Sequence, residues 1–312
     1  MAAADDKPNE VAAKKENVKT VKAYNNVGYL TSPSSRHVRI LCELQEPMKR
    51  MAEAGVDNYF QIVGTHLVMH PEERAQQIAE LNQQVRKGGP RDELEALNAK
   101  LRFAKSLQPM DKFYVVAMEL AESIARWSED RGARGLPRYH VCTGGGPGIM
   151  EAANRGARAG GAATLGLGSS RPEWGGDLNK YVSDELAFQF HYFFMRKFWA
   201  AYKCMGFVVL PGGYGSLDEL FEFLNLVVSK KISHSLPIIL IGKEFWRKAV
   251  NFEYLVECSI LSQTAVDIMV VVDTAEEAFS ALTSKVQEAE RTNENSVVEN
   301  AKRRRLGPQT ST

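Results

Sequence analysis

The stretch Gly206-Phe207-Val208-Val209-Leu210-Pro211-Gly212-Gly213-Tyr214-Gly215-Ser216-Leu217-Asp218-Glu219 decides the fold. It reads as an apolar strand, a glycine turn and the start of a helix that runs from Leu217 to Val228. Glycines in such a turn let backbone N–H groups curl around an anion, and the helix start adds partial positive charge. The turn Gly212, Gly213, Tyr214, Gly215, Ser216 therefore reads as a phosphate cradle, with the Ser216 hydroxyl as a further donor. Glu219 lies about one helical turn beyond the cradle, within reach of a sugar whose phosphate the turn holds. Arg196 and Lys197 stand just upstream as cations.

A second turn of the same kind, Thr143-Gly144-Gly145-Gly146-Pro147-Gly148, follows the short run Tyr139 to Cys142 and leads into Ile149-Met150-Glu151-Ala152-Ala153-Asn154. Taken singly, either turn is equally well read as tight packing of a helix against its strand. Together with Arg196 they point to two loops at the same end of a parallel sheet, where such folds bind ligands. Further apolar runs at Tyr59 to Val63, Ala163 to Leu167, Pro237 to Ile241 and Asp267 to Val272 alternate with helix-like segments. The expected fold class is α/β, a Rossmann-like, doubly wound parallel sheet with helices on both faces.

The motifs GGGPGIMEAAN, MRK and PGGYGSLDE resemble the Lonely Guy family of nucleotide phosphoribohydrolases, in particular its longer subgroup, whose members often carry the misleading label lysine decarboxylase. The family signature is PGGxGTxxE with an upstream Arg-Lys pair. Arg196, Lys197 and Glu219 match it, and Ser216 stands where threonine is usual but keeps the hydroxyl. Gly64-Thr65, after the Tyr59 to Val63 run, stands where the family has a glycine-serine turn facing the nucleotide. Leu67 departs from an arginine common in the longer subgroup, and Glu173 aligns loosely with an acidic residue that contacts the nucleotide. The resemblance covers roughly Ser32 to Leu282.

Bulk properties agree with one sizeable globular domain: 312 residues, 44% hydrophobic, 25% charged. A net charge of +1 provides no global field for capturing a nucleic-acid polymer, so a small ligand fits better. Cys42, Cys142, Cys204 and Cys258 show no CxxC spacing and read as free thiols. Residues 1–26 read as a disordered tail without signal- or transit-peptide character, 27–290 as the domain, and 291–312 as a basic disordered tail. With no run long enough to span a membrane, the expected location is the cytoplasm.

Residues 71–106 read as a charged helical hairpin broken at Gly88-Gly89-Pro90, an insertion relative to compact family members. His66 and His70 have the spacing of a metal pair, but no further ligands accompany them and no metal is expected. Five rings, Phe188, Phe190, Tyr192, Phe193 and Phe194, precede Arg196 and are expected in the core, at an interface or beside a base. Pro47 is expected to bend or interrupt the helix that opens after Pro33.

The resemblance implies hydrolysis of the N-glycosidic bond of a nucleoside 5′-monophosphate, either a cytokinin riboside monophosphate or an AMP-like nucleotide, to free base and ribose 5-phosphate. It implies Arg196 and Glu219 as the catalytic residues, no cofactor, and a homodimer or higher oligomer. Non-catalytic nucleotide binding is the alternative. An NAD-dependent oxidoreductase would need a G-x-G-x-x-G turn that neither loop supplies, and a decarboxylase would need a Schiff-base lysine that nothing marks out.

Overall fold

The computed structural model describes residues 20–169, 177–232 and 236–306. Seven strands form one sheet: β1 (Tyr59–Val63), β2 (His140–Thr143), β3 (Thr164–Ser169), β4 (Ala187–Phe190), β5 (Cys204–Val209), β6 (Ile238–Ile241) and β7 (Met269–Val272). Their spatial order is β4-β3-β2-β1-β5-β6-β7, and every pairing is parallel. From β1 the chain builds outward through β2, β3 and β4, then returns to the other side of β1 with β5 and continues to β7. The loops after β1 and β5 thus diverge at the switch point, the crevice where sheets of this class bind ligands.

Strands buried on both faces need helices on both faces. Among the described residues the α-helices are α1 (Val27–Thr31), α2 (Arg36–Glu53), α3 (Pro71–Lys87), α4 (Arg91–Leu107), α5 (Lys112–Ala133), α6 (Ile149–Ala159), α7 (Phe193–Tyr202), α8 (Tyr214–Val228), α9 (Lys243–Ala249), α10 (Phe252–Glu257), α11 (Gln263–Val266) and α12 (Ala275–Leu306). Phe60 and Ile62 of β1, Val141 of β2 and Val208 of β5 pack in one cluster with Leu120 and Ile124 of α5, Ala153 of α6 and Leu282 of α12. The opposite face carries α7 and α8. There the Tyr59 hydroxyl donates to the Trp199 carbonyl, and the Phe207 and Phe223 rings stack with centroids 4.0 Å apart. This is the doubly wound architecture expected from the alternating pattern.

The chain divides into two compact units at Glu43/Leu44, inside α2. In the first, the Asn26 side chain caps α1, and the buried Ser35 hydroxyl donates to the Tyr29 and Leu30 carbonyls. The second unit contains the whole sheet. Pro47 is buried within α2 and does not interrupt it. β4 was not expected as a strand; its signal is the alternation of buried Phe188 and Phe190 with exposed Gln189. The hairpin expected over 71–106 is α3 and α4. At the C-terminus, the backbone of α12 is helical through 291–306, where the sequence reads as a tail. Of the expected N-terminal tail, 1–19 lie outside the described residues, and Ala23–Asn25 form a 3-10 turn.

Candidate functional site

The site is assembled where three strand ends meet. Beyond β1, Gly64-Thr65 threads between the two glycine loops. The Thr65 N–H donates to the Pro211 carbonyl at 2.9 Å, and the Thr65 carbonyl accepts from the Ile149 N–H at 3.0 Å. Thr65 is thereby pinned from both sides. Its hydroxyl accepts from the Leu67 N–H at 3.2 Å and shapes the turn that follows.

After β5, the helix starts three residues earlier than the sequence pattern suggests. Tyr214, Gly215 and Ser216 form the first turn of α8, with Gly213 as the N-cap. The first helical bond of this turn runs from the Leu217 N–H to the Gly213 carbonyl at 3.0 Å. The N–H groups of Tyr214, Gly215 and Ser216 therefore have no carbonyl one turn back to bond, and the glycine cap brings no side chain to cover them. A Cβ placed on Gly213 or Gly215 would meet nothing within 4 Å, whereas one on Gly212 would strike the Ser216 side chain. The turn is open toward a cavity of about 220 Å³, lined on this side by Gly213, Tyr214, Gly215 and Ser216.

Arg196 and Glu219 line the same cavity. Arg196 enters from α7; its Nη1 lies 2.5 Å from Glu219 Oε1, and its Nε donates to the Leu167 carbonyl at 2.8 Å. The two side chains are 12% and 8% exposed, so the pair is screened little by water while one edge still meets the cavity. Phe193, Met150, Val63, His66 and Leu67 make the remaining wall. Beneath the pair, burial first and neighbouring Cys204 second push the Cys142 thiol well up, so it stays protonated and inert. All four cysteines are free.

Lys197 does not line the cavity. Its Nζ bridges Asp218 at 2.8 Å and Glu222 at 3.2 Å, tying α7 to α8. Desolvation pulls its pKa down, but the hydrogen bonds to Asp218 and Glu222 outweigh this and leave it raised. The expected phosphate contact is thus an ion-paired helix clamp, because α8 presents two carboxylates to the ammonium.

The loop after β2 is also occupied by the protein itself. The Asn179 side-chain amide donates to the carbonyls of Gly145 at 3.1 Å and Gly146 at 3.0 Å, and the Gly145 N–H donates to the Thr143 hydroxyl at 2.9 Å. Fully buried Asn154 accepts from both Thr143 and Asn179 and donates to Thr164. Gly148 adopts φ +71°, and a Cβ there would run into the Thr65 carbonyl and the His66 backbone. None of Gly144, Gly145, Gly146 and Gly148 lines the cavity. Gly144 comes nearest, since a Cβ on it would lie 2.6 Å from Arg196 Nη2.

Glu173 lies outside the described residues. Of the five rings before Arg196, Phe188 and Phe190 are core, Phe193 faces the cavity and Phe194 is exposed. His66 lines the cavity, whereas His70 caps α3 by accepting from the Glu72 N–H at 3.4 Å. Among the described residues no group of three or more ligand-type side chains could hold a metal ion. Asn154 lies in the GGGPGIMEAAN stretch, whose pattern gives it no role, and nothing local marks out Asn179.

The fold and its cavity define a doubly wound α/β protein whose switch-point site sets an arginine–glutamate pair among apolar side chains. Residues 150–282 match the family model described as "Possible lysine decarboxylase". That segment contains Arg196, the Pro211 to Glu219 stretch and most of the cavity wall, and over it the resemblance to the Lonely Guy family is borne out. No curated protein matches the chain. Among solved structures, the X-ray structure of the structural-genomics target TM1055 is 18% identical, with 73% of this chain and 99% of that chain covered at a TM-score of 0.43. The molybdenum cofactor binding protein from the phototrophic bacterium Rippkaea orientalis is 17% identical, with coverages of 55% and 88% and a TM-score of 0.37. At TM-scores this low, neither likeness bears on the fold or the site. No helix among the described residues is long and apolar enough to cross a membrane.

Proposed function

We propose that this protein hydrolyses the N-glycosidic bond of a nucleoside 5′-monophosphate, of the AMP or cytokinin riboside monophosphate type. The observation that carries this reading is the nearly buried Arg196–Glu219 pair, set one turn beyond the uncovered first turn of α8 in the same cavity. The three first-turn N–H groups and the Ser216 hydroxyl receive the 5′-phosphate. The ribose then lies over Glu219. As the bond from C1′ to the base nitrogen breaks, its electron pair leaves with the base and positive charge grows on C1′ and O4′. The Glu219 carboxylate stabilises that charge. Water supplies OH to C1′ and a proton to the base nitrogen. Arg196 holds Glu219 in place and faces the ribose and phosphate. Neither a metal nor a redox cofactor is required for this step.

We further propose that two copies associate through α7. Phe194, Phe198 and Tyr202 recur at helical spacing and are 56%, 38% and 51% exposed, an apolar stripe larger than a lone surface residue needs to explain. The cytoplasm remains the location we propose.

Incubation with AMP, isopentenyladenosine monophosphate, GMP, UMP and adenosine, with free base measured by chromatography, tests the reaction. Base release from monophosphates far above that from adenosine supports it. Tight nucleotide binding without release would make this a binding protein, and equal use of AMP and adenosine would remove the role of the α8 turn. A monomeric mass by light scattering in active protein would reject the dimer.

A further inference from the structure

Among the described residues of α3 only one is buried, and it is an arginine, Arg74, at 2% exposure. Its partner Asp111, just ahead of α5, is 1% exposed. Arg74 Nε lies 2.7 Å from Asp111 Oδ2 and Nη2 lies 3.2 Å from Oδ1, a two-pronged pairing. Apart from one bond to Gln77, the further side-chain hydrogen bonds of both groups are directed at a single segment. Arg74 Nη2 donates to the Leu67 carbonyl at 2.8 Å, and Asp111 Oδ1 accepts from the Met69 N–H at 3.0 Å. Gln77 takes up Nη1 at 2.7 Å. The segment so held, residues 64–70, has no helix or strand of its own, and its Thr65, His66 and Leu67 form one wall of the cavity.

A buried ion pair returns little net stability, because desolvating two charges offsets their attraction. Its effect on geometry is specific, since each bond it makes outside the pair and Gln77 fixes a backbone group of residues 67–69. We propose that Arg74 and Asp111 are positioning residues that hold the His66-Leu67 wall against the bound nucleotide, and that the α3–α4 hairpin acts in the site by supplying Arg74. The effect on turnover rests on the hydrolase reading above; the clamp itself does not.

The test replaces the pair with apolar residues of similar volume, Arg74→Met with Asp111→Leu, a change that buried pairs commonly tolerate without unfolding. Three quantities are read: Tm, hydrogen exchange of the peptide covering 64–70, and kcat and KM with AMP. We expect Tm close to that of the unchanged protein, faster exchange confined to 64–70, and a KM about tenfold higher, the equivalent of about 1.4 kcal/mol, with kcat little altered. Arg74→Lys, which keeps the charge but loses the fork, should show the same pattern more weakly; it carries the test if the double variant does not fold. Unchanged exchange over 64–70, or exchange that rises throughout the protein together with a fall in Tm, would overturn the proposal. If the unchanged protein releases no base from AMP, isopentenyladenosine monophosphate, GMP or UMP, the hydrolase reading has failed, and exchange over 64–70 still decides the clamp; if it acts on one of these and not on AMP, kcat and KM are read with that nucleotide.

Discussion

The loops after β2 and β5 flank the end of β1, are both rich in glycine and both lead into helices, yet they do opposite things. In the first, glycine serves packing: Asn179 and Thr143 bond its backbone, and Gly148 lets Thr65 and His66 pass against it. In the second, glycine serves vacancy, since Gly213 and Gly215 leave open space over the first turn of α8. A glycine motif therefore announces close backbone approach without saying what approaches. Both helix starts are capped by glycine without a side-chain partner; what separates them is that the start of α6 packs on the chain, with the Ile149 N–H bonded to the Thr65 carbonyl and Gly148 against Thr65 and His66, whereas the start of α8 faces the cavity.

The contrast is broken most directly at the Arg196–Glu219 pair beside the second loop, the pair proposed to be catalytic. Glu219→Gln should lower base release from AMP about a hundredfold or more, roughly 3 kcal/mol, while circular dichroism shows a folded protein. Arg196→Ala should be comparably inactive. A folded Glu219→Gln variant releasing base at near-normal rate would sink the assignment.

A sharper comparison comes from adding one methyl group to each loop. Gly148→Ala forces a Cβ into the backbone of Thr65 and His66 at positive φ, and should cost several kcal/mol of stability, read as a large fall in Tm. Gly215→Ala adds its Cβ in open space on a helix and should leave Tm unchanged or slightly raised, while KM for AMP rises as the methyl crowds the phosphate. The reverse pattern would show that the roles of the loops have been exchanged.

The smallest effect concerns the strand that carries the first loop. His140 opens β2, and burial lowers its pKa below 6.5. The unfolded chain takes up that proton near pH 6.5, before the folded protein does. This group's contribution to stability is therefore complete above about pH 6.5 and is lost as pH falls from there through the lower folded value. Tm should drop modestly between pH 7.5 and 5.5, and less so in His140→Gln. An unchanged difference in that variant would place the acid sensitivity elsewhere.

What could be read from the chain alone is what depends on neighbours in sequence. Apolar runs of strand length punctuated by glycine define β1, β2, β5 and β6, the hairpin of α3 and α4 follows from Gly88-Gly89-Pro90, and Arg196 and Glu219 emerge from their motif. The sequence pattern starts α8 three residues late because Tyr214-Gly215-Ser216 has turn composition, although an open N-terminus tolerates it. Tertiary structure alone decided which partners the polar groups find. Asn179 closes the first loop from more than thirty positions away, Lys197 turns to Asp218 and Glu222 across two helices, and Arg74 meets Asp111 from the far end of a hairpin. Hydrogen bonds and ion pairs act over a few ångströms whatever the separation along the chain. Local pattern can therefore name the donors and acceptors of the site, but only the folded arrangement determines which remain for a ligand.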